Sequence, residues 1–297
     1  MIEITNLSKS FGTTKAVDSL NLKLEAGITG LVGQNGAGKS TLLRLISGVY
    51  HPDDGYVSID GSPSTSVKAK ADVFFLSDDP YAPKGSNIEA TLDFYLGLFD
   101  IDVPTFKRLI EKFNLPLNRP VQTFSKGMKR QVFIALALSM KAKHLLLDEA
   151  FDGLDPLVVD TIKNEIINSA ASGKVIVISS HNILALQRLV DRFVILSKGK
   201  VAKEDATEDI GTELIKLQAV FKEPVSQEKL AELGYRVVSY RIVGSVTHFV
   251  LLANQSVIDV IKERFNPVFI EPVQLDPEEV VALEMLIAKE DGGQDNA

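Results

Sequence analysis

The sequence predicts an α/β protein built on a parallel sheet, followed by a smaller α+β domain. Three observations carry that expectation. Short apolar runs alternate with helical patterns through the first 200 residues. Three of these runs, HLLLD (144 to 148), KVIVISS (174 to 180) and FVILS (193 to 197), read as strands covered on both faces. After the polar stretch SKGKVAKEDATED (197 to 209) the pattern changes to strand, helix, strand, strand, helix, strand. A chain of 297 residues fits about two domains.

In chain order, further strands are expected at 2 to 7, 19 to 24, 27 to 32 and 56 to 60, and helices at 39 to 47, 87 to 99, 125 to 140, 157 to 171 and 182 to 190. Residues 80 to 140 hold helical patterns and little strand, so a helical insertion is expected there. The first domain is placed at 1 to 205 and the second at 212 to 297. The latter reads as strand 213 to 221, helix 226 to 233, strands 235 to 242 and 246 to 253, helix 256 to 265 and strand 268 to 273. That βαββαβ order is ferredoxin-like. Ser226 and Ser256 are expected N-caps, and Gly234 ends the first helix. Asp276 caps a last helix with Pro277 in its first turn and Glu278 and Glu279 following, and the tail EDGGQDNA is expected to be disordered.

Composition excludes several classes. Hydrophobic residues make up 45% of the chain, enough for a sizeable core, and there is no cysteine, so disulfides and thiolate metal sites are out. Residues 206 to 297 carry 8 Lys and Arg against 16 Asp and Glu, a net of −8, which leaves +1 on the first 205 residues. No basic tract of five occurs, so no nucleic-acid partner is expected. MIEITNLSKSFG lacks the apolar core of a secretory signal. VFIALAL, the longest apolar run, falls short of the roughly 20 residues a membrane span needs. A soluble chain, or one held at a membrane by a partner, is expected.

GQNGAGKST (33 to 41) fits G-x-x-x-x-G-K-[ST], between a strand and a helix. Gly33, Gln34, Asn35, Gly36, Ala37 and Gly38 form a loop whose backbone N–H groups can face phosphate oxygens at a helix N-terminus. Lys39 is expected to reach the β- and γ-phosphates, Ser40 to ligate Mg²⁺ and Thr41 to donate to a phosphate. HLLLDEA (144 to 150) then supplies Asp148 for the Mg²⁺ shell and Glu149 as general base for water. FSKGMKRQ (124 to 131) opens a helix with Ser125 as N-cap. FDGLDP (151 to 156) follows Glu149, and SSHN (179 to 182) ends the next strand.

With these motifs in this order, the first 200 residues resemble the ATP-binding cassette (ABC) family. The resemblance implies a P-loop NTPase fold and a head-to-tail dimer that sandwiches ATP. It implies that Ser125 and Gly127 contact the γ-phosphate across the dimer, that Asp155 links the two sites, and that His181 contacts the γ-phosphate. Phe11, in SKSFG, takes the place of an aromatic that stacks on adenine. Two departures stand out. FSKGM replaces the usual LSGGQ, with Lys126 adding positive charge near the phosphate. Asp78 takes the place of a glutamine that approaches Mg²⁺ and contacts the membrane partner. Tyr81, Ile88, Phe94 and Tyr95 either line the groove for a membrane subunit or belong to the core of the insertion.

The pattern is most similar to ATPase subunits of bacterial drug, antibiotic or peptide exporters. That resemblance implies a peripheral ATPase at the cytoplasmic face of the membrane. Its partners would be an integral membrane transporter subunit and a second ABC subunit, either an identical copy or a paralogue. The alternative is a soluble ABC ATPase with an assembly or regulatory role. The C-terminal domain shows no recognisable ligand site and is expected to serve subunit contacts.

Overall fold

The computed structural model describes residues 1–181, 186, 189–206, 214–275, 279, 280, 282–284, 286 and 287. Most of the expected helix at 182 to 190 lies outside these residues, as do Asp276, Pro277, Glu278 and the tail. The chain divides into two compact units, 1–204 and 205–297.

The first unit holds two sheets. β1 (Ile2–Phe11), β2 (Thr14–Leu24), β4 (Asp54–Ile59) and β5 (Ser62–Pro63) form an antiparallel sheet in the order β2-β1-β4-β5. β3 (Gly27–Val32), β6 (Val73–Leu76), β7 (His144–Leu147), β8 (Val175–Ser180), β9 (Arg192–Ser197) and β10 (Lys200–Ala206) form the second, in the order β10-β9-β3-β8-β7-β6. Strands β6, β7, β8, β3 and β9 run parallel. Every residue of β7 and β8 is buried, which is why those stretches read as continuous apolar runs. α1 (Lys39–Ile46) leaves β3 and buries Leu42, Leu43, Leu45 and Ile46. These side chains share one core with Ile2, Ile4 and Leu22 of the antiparallel sheet and Leu31, Leu146 and Val177 of the parallel one.

The insertion comprises α3 (Ile88–Leu96), α4 (Val103–Lys112) and α5 (Lys126–Ser139), after a short α2 (Val67–Ala71). α6 (Pro156–Ala170) returns to the parallel sheet. β5, β6 and α2 were not among the expected elements, and two further elements differ from expectation. α4 was not among the expected helices, yet it carries local signals: Asp102 caps it, Pro104 stands in its first turn, and Phe106, Leu109 and Ile110 are buried. The stretch at 197 to 209 is not a plain linker, since β10 occupies Lys200–Ala206 beside β9. The turn between them has Lys198 at φ 48 and Gly199 at φ 79, the backbone of a two-residue hairpin. Its polar residues suit an edge strand.

An ion cluster ties α4 to α6. Arg108 donates to both Glu165 oxygens, at 2.9 and 2.8 Å, and Lys112 adds a third bond at 2.9 Å. Arg108 first, then Lys112, hold the Glu165 carboxyl down from 4.5 to about 2, against the opposing effect of burial. A depressed carboxylate stabilises the fold fully above its ordinary value, and that contribution is lost as pH falls through the folded value. Glu165 is 9% exposed and its partners about half exposed, so screening reduces the effect. Glu165→Gln is expected to cost about 2 kcal/mol at neutral pH. It should also flatten the loss of stability between pH 4.5 and about 2. Urea unfolding of both proteins across that window checks it, and parallel pH profiles would refute it.

The second unit is β11 (Leu214–Val220), α7 (Gln227–Ala231), β12 (Arg236–Val243), β13 (Val246–Leu252), α8 (Val257–Phe265) and β14 (Phe269–Val273). Its antiparallel sheet has the order β12-β13-β11-β14, the ferredoxin-like arrangement. Leu217, Phe249, Leu251, Leu230 and Ile261 form its core. Ser226 caps α7 by accepting the Lys229 N–H at 3.4 Å. Ser256 does not cap α8: it is already helical, and Asn254 Oδ1 accepts the Ser256 N–H at 3.1 Å instead.

Candidate functional site

The loop from Gly33 to Gly38 joins β3 to α1 at the end of the parallel strands. It is pinned by the β9–β10 turn: the Gly199 N–H donates to the Ala37 carbonyl at 3.0 Å, and the Asp18 N–H of β2 holds that turn by donating to the Gly199 carbonyl at 2.9 Å. Gly38 sits at φ 104, and a Cβ there would collide with the Ala16 carbonyl oxygen. Only glycine lets the loop lie this close to β2. Gln34, Asn35 and Gly36 are exposed, Gly33 and Ala37 buried, and Thr41 half-buried at the start of α1.

Lys39 is 6% exposed. Its ammonium donates to the Gly33 carbonyl at 2.7 Å and to the Gln34 carbonyl at 3.4 Å, and lies 3.7 Å from Glu149 Oε1. Ser40 Oγ donates to Asp148 Oδ1 at 3.1 Å. Ser179 Oγ donates to the same oxygen at 2.5 Å and accepts the Glu149 N–H at 2.9 Å. Asp148 is fully buried. Its Oδ2 is a buried side-chain oxygen with no hydrogen-bond partner among the described residues. An unsatisfied buried carboxylate oxygen is costly, and beside a serine hydroxyl it suits a hard cation such as Mg²⁺, which takes oxygen ligands.

Glu149 closes the group. Its backbone is left-handed at φ 48, an uncommon conformation for a side-chain-bearing residue. Glu149 Oε2 meets His181 Nδ1 at 2.9 Å and accepts the His181 N–H at 3.4 Å. Lys39, Ser40, Asp148, Glu149 and His181 therefore meet in one place, as their motifs led us to expect. Phe11 stands at the tip of the β1–β2 hairpin, 47% exposed, with Tyr50 edge-on at 5.6 Å. The Lys9 ammonium lies over the ring, 5.8 Å from its centroid.

Ser125 and Gly127 are placed elsewhere, at the N-terminus of α5, where Ser125 Oγ accepts the Met128 N–H at 3.2 Å. Among the described residues neither bonds to the Gly33–Thr41 loop. Gly127 lies against the segment after Glu149: a Cβ on it would meet the Gly153 carbonyl at 2.6 Å. The Lys126 ammonium sits 2.5 Å from Asp152 Oδ2. Its charge is therefore directed at Asp152 in the same chain, and that bond holds the Asp152 carboxyl below its usual range. Asp155 is exposed just before α6, where its carbonyl accepts the Val158 and Val159 N–H groups. Asp78 is exposed just past β6, and no hydrogen bond or ion pair among the described residues joins its carboxylate to Ser40 or Asp148. Of the aromatic stretch, Ile88 is core at 2% exposure, while Tyr81 and Phe94 are exposed and pack on each other at 5.6 Å.

Two contributors escaped the sequence reading. Ser179 was visible only as a serine in SSHN. Arg130, 5% exposed on α5, bonds to four backbone carbonyls just past the ends of β6 and β7. A cation leading into the apolar run VFIALAL was the available signal.

The model of a family described as ABC transporter matches residues 17–152. A probable ABC transporter ATP-binding protein of Azorhizobium caulinodans is 32% identical over 218 residues, which span 69% of this chain and 76% of that one. The chain belongs to the ABC transporter ATP-binding proteins. This ABC cassette is also 29% identical to a lantibiotic transport ATP-binding protein of Streptococcus pyogenes, over 75% of this chain and 99% of the relative. Its fold overlays a solved ATP-binding subunit of an ABC transporter with TM-score 0.66 at 27% identity, covering 71% of this chain and 92% of that one. The cassette binds ATP, and its enzyme class is ATPase. Among the described residues no helix is long and apolar enough to cross a membrane.

Proposed function

We propose that the chain is the ATP-hydrolysing subunit of a transporter, of the exporter kind, that drives a separate integral membrane subunit as an ATP-sandwiched dimer. One observation carries this reading. Glu149 is aimed by a left-handed backbone into hydrogen-bond contact with His181, beside Lys39 and next to a buried Asp148 oxygen that lacks a partner.

In this reading Gly33 to Gly38 cradle the phosphates with backbone N–H groups, and Thr41 donates to them. Lys39 leaves the Gly33 and Gln34 carbonyls for the β- and γ-phosphates. Ser40 and Asp148 hold Mg²⁺, with Asp78 as an outer neighbour, and the ion neutralises phosphate charge when bound. Glu149 takes the proton of the attacking water, and His181 fixes the carboxylate and touches the γ-phosphate. Phe11 stacks on adenine. Ser125 and Gly127 stand apart from their own loop, which fits service to the ATP of a second subunit, identical or paralogous, with Asp155 between the two sites. The lantibiotic-transport relative and a Nod factor export ATP-binding protein of Sinorhizobium fredii, 32% identical over 237 residues, support the exporter reading. A place at the cytoplasmic membrane face follows from it.

The test is co-expression with whichever integral membrane proteins the neighbouring genes encode. Co-purification, with a changed rate of ATP turnover, is expected. Full turnover without any association would overturn the transporter reading and favour a soluble ATPase.

A further inference from the structure

Arg130 is the one charged side chain that α5 buries. A guanidinium carries five N–H donors in a fixed plane. Here they reach two separate pieces of backbone. Nη1 donates to the Ser77 carbonyl at 2.8 Å and the Asp78 carbonyl at 3.2 Å, where the chain leaves β6 for the insertion. Nε donates to the Ala150 carbonyl at 3.3 Å, and Nη2 donates to the Asp148 carbonyl. Among the described residues, no carboxylate pairs with it directly.

A buried cation bonded only to carbonyls is a poor device for stability, because desolvation is costly. Burial lowers the Arg130 pKa, and the charges of Asp78, Asp148, Asp152 and Glu149 oppose that shift. Its geometry suggests a different use. Asp148 and Ala150 flank Glu149, so Arg130 bonds to the carbonyls of the residues on both sides of the one held at φ 48. Ser179 fixes the Glu149 N–H from the opposite strand. Together these contacts set the direction of the carboxylate. The same guanidinium also links that turn to residues 77 and 78, the entrance to the insertion.

We propose that Arg130 is a positioning residue for Glu149, transmitting the position of the 77–78 segment to the hydrolytic carboxylate. The proposal rests on the reading of Glu149 as general base. It explains the choice of arginine, since a lysine ammonium is a point charge and cannot bridge four carbonyls. A displacement of about 1 Å at a reacting group can cost roughly 10²-fold in rate.

The experiment uses the full chain with Arg130→Gln, Arg130→Lys, Glu149→Gln and the double variant Arg130→Gln/Glu149→Gln. Gln removes the buried charge and keeps an amide donor for the carbonyls, and Lys retains the charge. Both single Arg130 variants are expected to lower kcat about tenfold or more, with KM and equilibrium ATP affinity within about threefold of wild type. In the Glu149→Gln background, Arg130→Gln should change the residual rate by less than about twofold, because residues acting as a unit are non-additive. Unchanged kcat in folded Arg130 variants would overturn the proposal. So would a full multiplicative loss in the double variant, which marks a structural strut that does not act through Glu149. If Glu149→Gln itself hydrolyses ATP at the wild-type rate, it is the reading of Glu149 that falls.

Discussion

Glu149→Gln is expected to lower Mg²⁺-dependent ATP hydrolysis by roughly 10²- to 10⁴-fold, the usual worth of a general base. The amide keeps the shape of the side chain and can still bond to His181, 2.9 Å from Oε2 in the native chain. It cannot take up a proton from water. It also ends the attraction to Lys39, 3.7 Å away, so the ammonium is freer to turn to phosphate. Nucleotide affinity should therefore hold or rise, and an ATP-dependent dimer should outlast that of wild type. Phosphate release, together with sedimentation in ATP, checks both. A variant that turns over normally would remove Glu149 from the chemistry. A variant that loses ATP binding as well would make it a structural residue.

Lys39→Ala should weaken ATP binding by roughly 10- to 100-fold, from the loss of a charge-assisted bond worth about 1.5–3 kcal/mol. One further effect adds to it: Glu149 loses the cation 3.7 Å away that offsets its charge beside the phosphates. Lys39→Arg is not expected to rescue binding, because a rigid planar fork replaces a compact ammonium in a side-chain slot only 6% exposed. Calorimetric titration with ATP checks both variants. Affinities within about threefold of wild type would mean that the loop's N–H groups alone hold the phosphates.

Much of the fold was legible because its signals are local. GITGLV occupies β3 from first to last residue, and the βαββαβ order of the second unit follows from alternation and turn glycines. β10 was hidden because an edge strand on a polar surface carries little apolar signal, although the Lys-Gly turn before it was a clue. α4 is signalled locally only by Asp102 and Pro104 at its start. In the site, the motifs named the residues that now lie together, since each is fixed by its own strand end. Arg130 and Ser179 were not named. Their contribution comes from tertiary bonds to backbone atoms, and no short motif encodes a bond between α5 and the carbonyls of Ser77 and Ala150. The direction of Lys126 was equally unreadable, since Asp152 is 26 residues away in sequence.

The left-handed backbone at Glu149 places two selective pressures in opposition at one codon. Glycine or asparagine suits φ 48 better than glutamate does. A population screened only for robustness would drift toward those residues. Glutamate is the poorer tenant of that backbone and the only one of the three able to accept a proton from water at neutral pH. On the proposed reading, the chemistry of turnover needs a carboxylate where the backbone alone favours glycine or asparagine.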